Sequence, residues 1–287
     1  MHEVKQCEDK NYKIYELRNP DTNSWVKVAP ERGGMVIGFG IQGEELLFLN
    51  KETFYDANAN VRGGIPILFP ISGQLENGEY EWDGKVYKMR NHGVARTNPW
   101  EVISSNVDGE ASITLSLQSN AETKKAYPFD FEVRFTYVLK DNSLTIMQEY
   151  TNKSASAMPI YAGFHPYFRT ASNNLEYKTD AKTYLDYNDM DVQDVSRGLD
   201  LSGKKESLVL LDAETPQIAF TLPELKKLVK LEYGEEFKYV YLWTEQGQDF
   251  VCVEPWMAMT DELNRKEELS FVSPGETLKT YLTISVE

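Results

Sequence analysis

Phe131-Glu132-Val133-Arg134-Phe135-Thr136-Tyr137-Val138-Leu139-Lys140-Asp141-Asn142-Ser143-Leu144-Thr145-Ile146-Met147-Gln148-Glu149-Tyr150 is the stretch that decides the fold. Phe131, Val133, Phe135, Tyr137 and Leu139 recur with period two, Asp141-Asn142 offers a turn, and Leu144, Ile146 and Tyr150 carry the apolar face back. Successive side chains of a strand point to opposite faces, so the pattern predicts a half-buried antiparallel hairpin. Glu79 to Trp82 and Lys85 to Lys88 flank Asp83-Gly84, a pair that tolerates the positive φ angles of a type I′ hairpin turn.

Working outward, the same alternation predicts strands at Tyr12 to Leu17, Trp25 to Ala29, Met35 to Ile41, Pro159 to Ala162, Leu208 to Leu211, Ile218 to Leu222, Tyr239 to Thr244 and Phe250 to Glu254. A last strand follows from Leu278, Thr280, Leu282, Ile284 and Val286. Helical periodicity is confined to a turn near Glu122 to Ala126 and a short piece within Thr260 to Glu268. The polar run Asp186 to Glu206 reads as a long loop, and loops of that length commonly carry function. No linker or repeat divides the chain. The expectation is all-β: one large antiparallel β-sandwich domain over residues 1–287, with few short helices.

The 287 residues carry 30 Lys and Arg against 45 Asp and Glu, a net charge of −15. That balance argues against wrapping a phosphate backbone, so no nucleic-acid partner is expected. The two cysteines, Cys7 and Cys252, make no disulfide framework and no Cys-x-x-Cys pair. The start has no apolar core of a signal peptide, and no run approaches the ~20 apolar residues that span a bilayer. A cytoplasmic protein without a membrane partner is the expectation.

Chemistry concentrates in four segments. Arg62-Gly63-Gly64-Ile65-Pro66 reads either as a turn feeding an edge strand or as a cation beside backbone that a ligand can approach, with Gln74 nearby. Asn91-His92-Gly93-Val94-Ala95-Arg96 is either a turn in which His92 caps a backbone group or a grip for several hydroxyls. Gly163-Phe164-His165-Pro166-Tyr167-Phe168 sets a histidine among aromatics, where it is either a satisfied core residue or a proton donor to a ligand. Val251-Cys252-Val253-Glu254-Pro255-Trp256 closes an apolar strand on a carboxylate, with Pro255 expected to end the ladder. Partial desolvation there raises a carboxyl pKa toward the range of a general base, whereas the structural alternative is an ion pair with Arg62 or Arg96. Trp256 is either core or a flat surface for a sugar ring. No His-Glu-x-x-His spacing, Gly-x-Ser-x-Gly elbow, phosphate-binding loop or second well-placed carboxylate is present, so neither a metal nor a cofactor is expected.

Taken in order, these segments, with Pro99-Trp100, Tyr127-Pro128-Phe129 and Pro274-Gly275-Glu276-Thr277, resemble the aldose 1-epimerases, or galactose mutarotase-like proteins. The similarity is strongest to the bacterial branch near the hexose-6-phosphate 1-epimerase-like proteins. The resemblance implies a β-supersandwich with its site on one concave sheet face, and an isomerase that interconverts α and β anomers of a hexose. It implies that Glu254 takes the proton of the C1 hydroxyl and that His165 protonates the ring oxygen. His92 orients or polarises that oxygen, and Arg62 holds hydroxyls. Asn91, Arg96, Gln74 and Trp256 complete the expected substrate contacts. The partner is a small-molecule sugar or sugar phosphate, and no cofactor is required. Galactose mutarotases proper also use an aspartate, for which Asp186, Asp189, Asp191 and Asp194 all qualify. The alternatives are a hexose-6-phosphate 1-epimerase, with Arg62 and Arg96 on the phosphate, and a non-catalytic carbohydrate-binding or sensing protein on the same fold.

Overall fold

A computed structural model describes residues 2–287. The deciding hairpin forms as expected. Strand Phe131–Lys140 pairs with strand Ser143–Asn152 from Phe131↔Asn152 to Lys140↔Ser143, closed by Asp141 and Asn142, with Asp141 at φ 50°. It lies inside an eight-stranded antiparallel sheet. Its spatial order is Tyr177–Lys178, Gln217–Leu222, Lys227–Tyr233, Thr277–Val286, Ser143–Asn152, Phe131–Lys140, Ala111–Gln118 and Glu101–Asn106.

A second eight-stranded sheet runs Asp191–Asp194, Thr183–Asp186, Leu208–Leu210, Tyr239–Trp243, Phe250–Trp256, Gly163–Phe164 and Ile67–Leu68. Strand Tyr167–Arg169 adds to Phe250–Trp256 beside Gly163–Phe164. The inner faces of the two sheets share one apolar core. Phe135 lies 5.8 Å from Phe164, Phe69 stacks on Tyr150 at 5.5 Å, and Phe168 meets Phe220 at 4.9 Å. All six are buried. Burial of each such side chain contributes about 1.5–3 kcal/mol, so this aromatic layer holds the sandwich together.

A five-stranded sheet, Glu3–Asp9, Tyr12–Asn19, Ser24–Ala29, Met35–Ile41 and Glu44–Glu45, packs at one side. The separate hairpin Glu79–Trp82 with Lys85–Lys88 turns through Asp83 and Gly84, both at positive φ, as the Asp-Gly pair predicts. Short helices form at Ala121–Ala126 and Glu262–Arg265, near the two expected places.

Three expectations change. Strand Phe250–Trp256 does not stop at Pro255: Val240 pairs with Pro255, and Trp256 pairs with both Tyr239 and Gly163. The N–H groups of Val253 and Met257 reach Pro166 and Ala162 on one side. The proline nitrogen falls between them, opposite the break between Gly163–Phe164 and Tyr167–Arg169, where the ladder asks for no donor. The polar run from Asp186 is not wholly a loop, because Thr183–Asp186 and Asp191–Asp194 form a hairpin. A third helix, Lys51–Tyr55, was not expected. Asn50 caps its start by accepting from the Thr53 N–H at 3.0 Å. Buried Arg32 donates to the carbonyls of Thr53, Phe54, Asp56 and Ala59 at its end. Edge strand Glu101–Asn106 is largely exposed on both sides, so it left no apolar alternation to read.

Candidate active site

The period-two rule positions the site. Along Phe250–Trp256, Val251 and Val253 enter the shared core, and Cys252, Glu254 and Trp256 face the opposite side. On the neighbouring strand Tyr241 pairs with Glu254, and Trp243 pairs with Cys252. On the other side Tyr167 pairs with Cys252, which carries His165, two residues earlier, to a place opposite Glu254. His165 Nε2 lies 3.4 Å from Glu254 Oε1, with the residues 8% and 2% exposed. His165 sits in the break between two short strands, and its backbone N–H donates to the Pro66 carbonyl at 3.2 Å.

His92 arrives from the other side of the cleft. Its N–H donates to the Gly73 carbonyl at 2.7 Å, and its Nδ1 accepts from the Gly73 N–H at 3.0 Å. An imidazole nitrogen that accepts holds no hydrogen, so the ring is the neutral tautomer with its proton on Nε2. This reciprocal pair of bonds holds His92 at φ 65°, in the left-handed region that non-glycine residues adopt uncommonly. Gly73 has φ 79°, and a Cβ there would lie 2.5 Å from Thr260 Oγ1. The His92 ring stands edge-on to His165 at 5.5 Å and to Trp256 at 5.7 Å.

Aromatic rings form the walls. Tyr241 stacks on Trp256 at 3.7 Å, Tyr167 stacks on His165 at 4.6 Å, and Trp243 meets His165 edge-on at 5.8 Å. The Arg62 guanidinium lies over the Trp243 ring at 5.2 Å and pairs with Glu245 at 3.4 Å. The resulting cleft of about 320 Å3 is lined by Arg62, Gln74, Asn91, His92, His165, Glu254 and Trp256, and by Gly73, Tyr187, Lys205, Glu206, Ser207, Tyr241, Trp243 and Thr260. That is the small end of ligand cavities, which run ~300–1,000 Å3.

Burial governs the electrostatics. It pushes the Glu254 carboxyl well above the usual carboxylate range, and the nearby Trp256 indole N–H opposes this without closing a hydrogen bond. Burial, reinforced by the Arg96 and Arg62 charges, lowers His165 from 6.5 to about 3. His92 is lowered by the same burial, then by Arg96 and His165. Burial therefore pushes both members of the His165–Glu254 pair toward their uncharged forms. Glu254 Oε2, His165 Nδ1 and Trp256 Nε1 complete no hydrogen bond among the described residues. Buried polar atoms are rarely left so.

Seven of the eight residues expected from sequence thus meet around one cleft. Arg96 does not line it. Its guanidinium donates to the Asn91 carbonyl at 3.0 Å, and burial pulls it down to about 10. The ion pair of Glu254 with an arginine, the structural alternative, does not form: Glu254 faces His165, and Arg62 takes Glu245. For His92 both readings hold at once, since it binds backbone and lines the cleft. No aspartate of the 186–194 hairpin reaches the cleft. Buried Asp186 accepts from Lys204 and from Asn188. Lys205 and Glu206 supply the charge from that region instead. The alternating Tyr239, Tyr241 and Trp243 was the signal that an aromatic wall stood beside Glu254; Ser207 and Thr260 had none.

The sequence matches the aldose 1-epimerase family over residues 13–285. Protein LacX of Lactococcus lactis subsp. lactis is 26% identical over 267 residues, which covers 78% of this chain and 85% of that protein. Among solved structures, the Slr1438 protein of Synechocystis sp. PCC 6803 is 33% identical with a TM-score of 0.91, covering 96% of this chain and 95% of the other. A galactose mutarotase-like protein of Clostridium acetobutylicum shares the fold at 18% identity, with a TM-score of 0.82 and coverage of 100% and 98%. The family match takes in every segment that lines the cleft, and on that ground this chain belongs to the aldose 1-epimerase family.

Proposed function

We propose that this protein is an aldose 1-epimerase that interconverts the α and β anomers of a hexose by opening and closing the ring. The observation that carries the reading is the contact of His165 Nε2 with Glu254 Oε1 at 3.4 Å, an acid–base pair buried in the cleft. Mutarotation needs one base and one acid. Glu254 as carboxylate takes the proton of the C1 hydroxyl, and protonated His165 gives its proton to the ring oxygen as the C1–O5 bond breaks. The open-chain aldehyde rotates about C1–C2. Closure on the other face then returns a proton from the O5 hydroxyl to His165 and from Glu254 to O1.

Ring opening leaves Glu254 a carboxylic acid and His165 a neutral imidazole. That is the form burial favours, so the site stabilises the protonation state accompanying the open chain, the high-energy species on the path. His92, with its hydrogen on Nε2, serves as a neutral donor that orients the ring oxygen. Arg62, Gln74 and Asn91 bind hydroxyls, and Trp256 stacked on Tyr241 presents an apolar surface to the sugar ring.

Lys205, which lines the cleft together with Arg62, favours a second reading, a hexose-6-phosphate. Against it, Arg62 is paired with Glu245, and the cleft lining also carries the Glu206 carboxylate. A carbohydrate-binding protein without turnover would need neither the acid nor the base. Polarimetry on fresh α-glucose, α-galactose and α-glucose 6-phosphate tests all three. Acceleration of the free sugars supports the first reading, and a strong preference for the phosphate lost in Arg62→Ala supports the second. Rates no faster than the spontaneous ones across the panel contradict turnover.

A further inference from the structure

Cys252 has no part in that chemistry, yet it lies beside it. His165, Cys252 and Glu254 each offer one ligand atom, these atoms lie within 4.8 Å of one another, and all three residues are buried. The topology explains the cluster: Cys252 and Glu254 share one face of a strand at i and i+2, and His165 comes from the break between the two short strands that pair with it. Two of the three side chains carry a buried atom without a partner, His165 Nδ1 and Glu254 Oε2.

We propose that His165, Cys252 and Glu254 form a three-ligand site for a thiophilic divalent cation, Zn2+ above all, whose binding shuts the proton-transfer pair down. An imidazole nitrogen, a thiolate and a carboxylate are the zinc-type donor set, and one neutral and two anionic ligands balance the ionic charge. Donors on one tetrahedral ion sit about 3.5 Å apart, so the cluster closes by about 1 Å, within reach of the His165 and Glu254 torsions. His165 and Glu254 of this set also line the cleft. On binding, the thiol gives its proton to solvent, as does Glu254 where it is protonated, and no electron changes hands. The ion then occupies the lone pairs that the epimerase reaction needs. Because His165 meets Cys252 and Glu254 only through the pairing of distant segments, no short ligand spacing in the sequence announces the site.

Co2+ is the probe, in a Cys7→Ser background that removes the exposed thiol. The expected result is one Co2+ per chain by equilibrium dialysis, with a thiolate-to-metal charge-transfer band that Zn2+ displaces. Cys252→Ala abolishes the band and weakens Zn2+ binding at least ~10-fold. Where a sugar is turned over, Zn2+ stops the parent protein, and Cys252→Ala keeps its rate and resists the metal. If Cys252→Ala does not fold, Cys252→Ser serves, and in either case Zn2+ raises the Tm of the parent protein only. Absence of the band in the parent, or equal Zn2+ affinity in the cysteine variant, overturns the proposal. The band is read without turnover, so this result stands apart from the epimerase assay.

Discussion

Glu132 and Glu254 are two glutamates on the outer faces of the two large sheets, 6% and 2% exposed. Their surroundings set them in opposite directions. Burial raises both, but Glu132 accepts from Arg134 at 2.7 Å and Ser116 at 3.2 Å and pairs with Lys153 at 2.5 Å, and the Lys153 and Arg134 cations bring its pKa below 4.5. Glu254 has no cation in contact, only His165, and burial holds it well above 4.5. The sheet around Glu132 is closed off chemically, with Thr114 bonded to Thr136, Thr145 to Thr283 and Thr151 to Thr277. Around Glu254 several polar atoms stay unmatched. Burial alone therefore does not mark a functional carboxylate; burial without compensation does.

The largest expected effect separates the two at once. Glu254→Gln keeps the shape and removes the base, so anomer interconversion falls about 100- to 10,000-fold, as it does for His165→Asn. Both variants keep their circular dichroism spectra. A near-parental rate in either breaks the assignment of roles. Glu132→Gln, by contrast, retains the rate.

The next effect is on stability and has opposite pH signs. Glu132 is lowered in the folded chain, so its contribution is present above the unfolded value and fades as pH falls through the lower folded one. Glu132→Gln thus costs about 1 kcal/mol at neutral pH, given partners that are half exposed, and the loss vanishes in acid. Glu254 is raised, so its ionisation weakens the fold as pH climbs past the ordinary value. Glu254→Gln therefore unfolds no more readily than the parent at pH 8, and its Tm advantage grows with pH. Thermal melts from pH 4 to 9 read both signs.

A smaller effect lies in the pH–rate profile. The one-proton state of the His165–Glu254 pair is the active one. The acidic limb then lies far below 6.5, toward about 3, and no inflection falls at 6.5. A half-maximal rate near 6.5 would mean that His165 titrates as if exposed. The smallest effect belongs to the matched surface: Thr145→Val changes stability by less than about 0.5 kcal/mol and leaves the rate alone.

The comparison also shows what the sequence could carry. Alternation from Phe131 to Tyr150 predicted the hairpin and its turn, because burial of one face writes itself into every second residue. The convergence of His92, His165 and Glu254 on one cleft came from the ordered motifs, each ambiguous alone. What stayed hidden depends on neighbours distant in the chain. Pro255 continues its strand because a break lies opposite its nitrogen. Arg96 turns to the Asn91 carbonyl and stays out of the cleft lining, and Glu245 pairs with Arg62. Glu132 and Glu254 look alike as letters, and only the strands beside them reveal which is satisfied.

The most direct test is saturation transfer between the anomers of a free hexose, run side by side on the parent protein, Glu132→Gln and Glu254→Gln. The account predicts fast exchange in the first two and exchange at the spontaneous rate in the third, with all three folded. Exchange that survives in Glu254→Gln, or that is absent from the parent across the sugar panel, would contradict it.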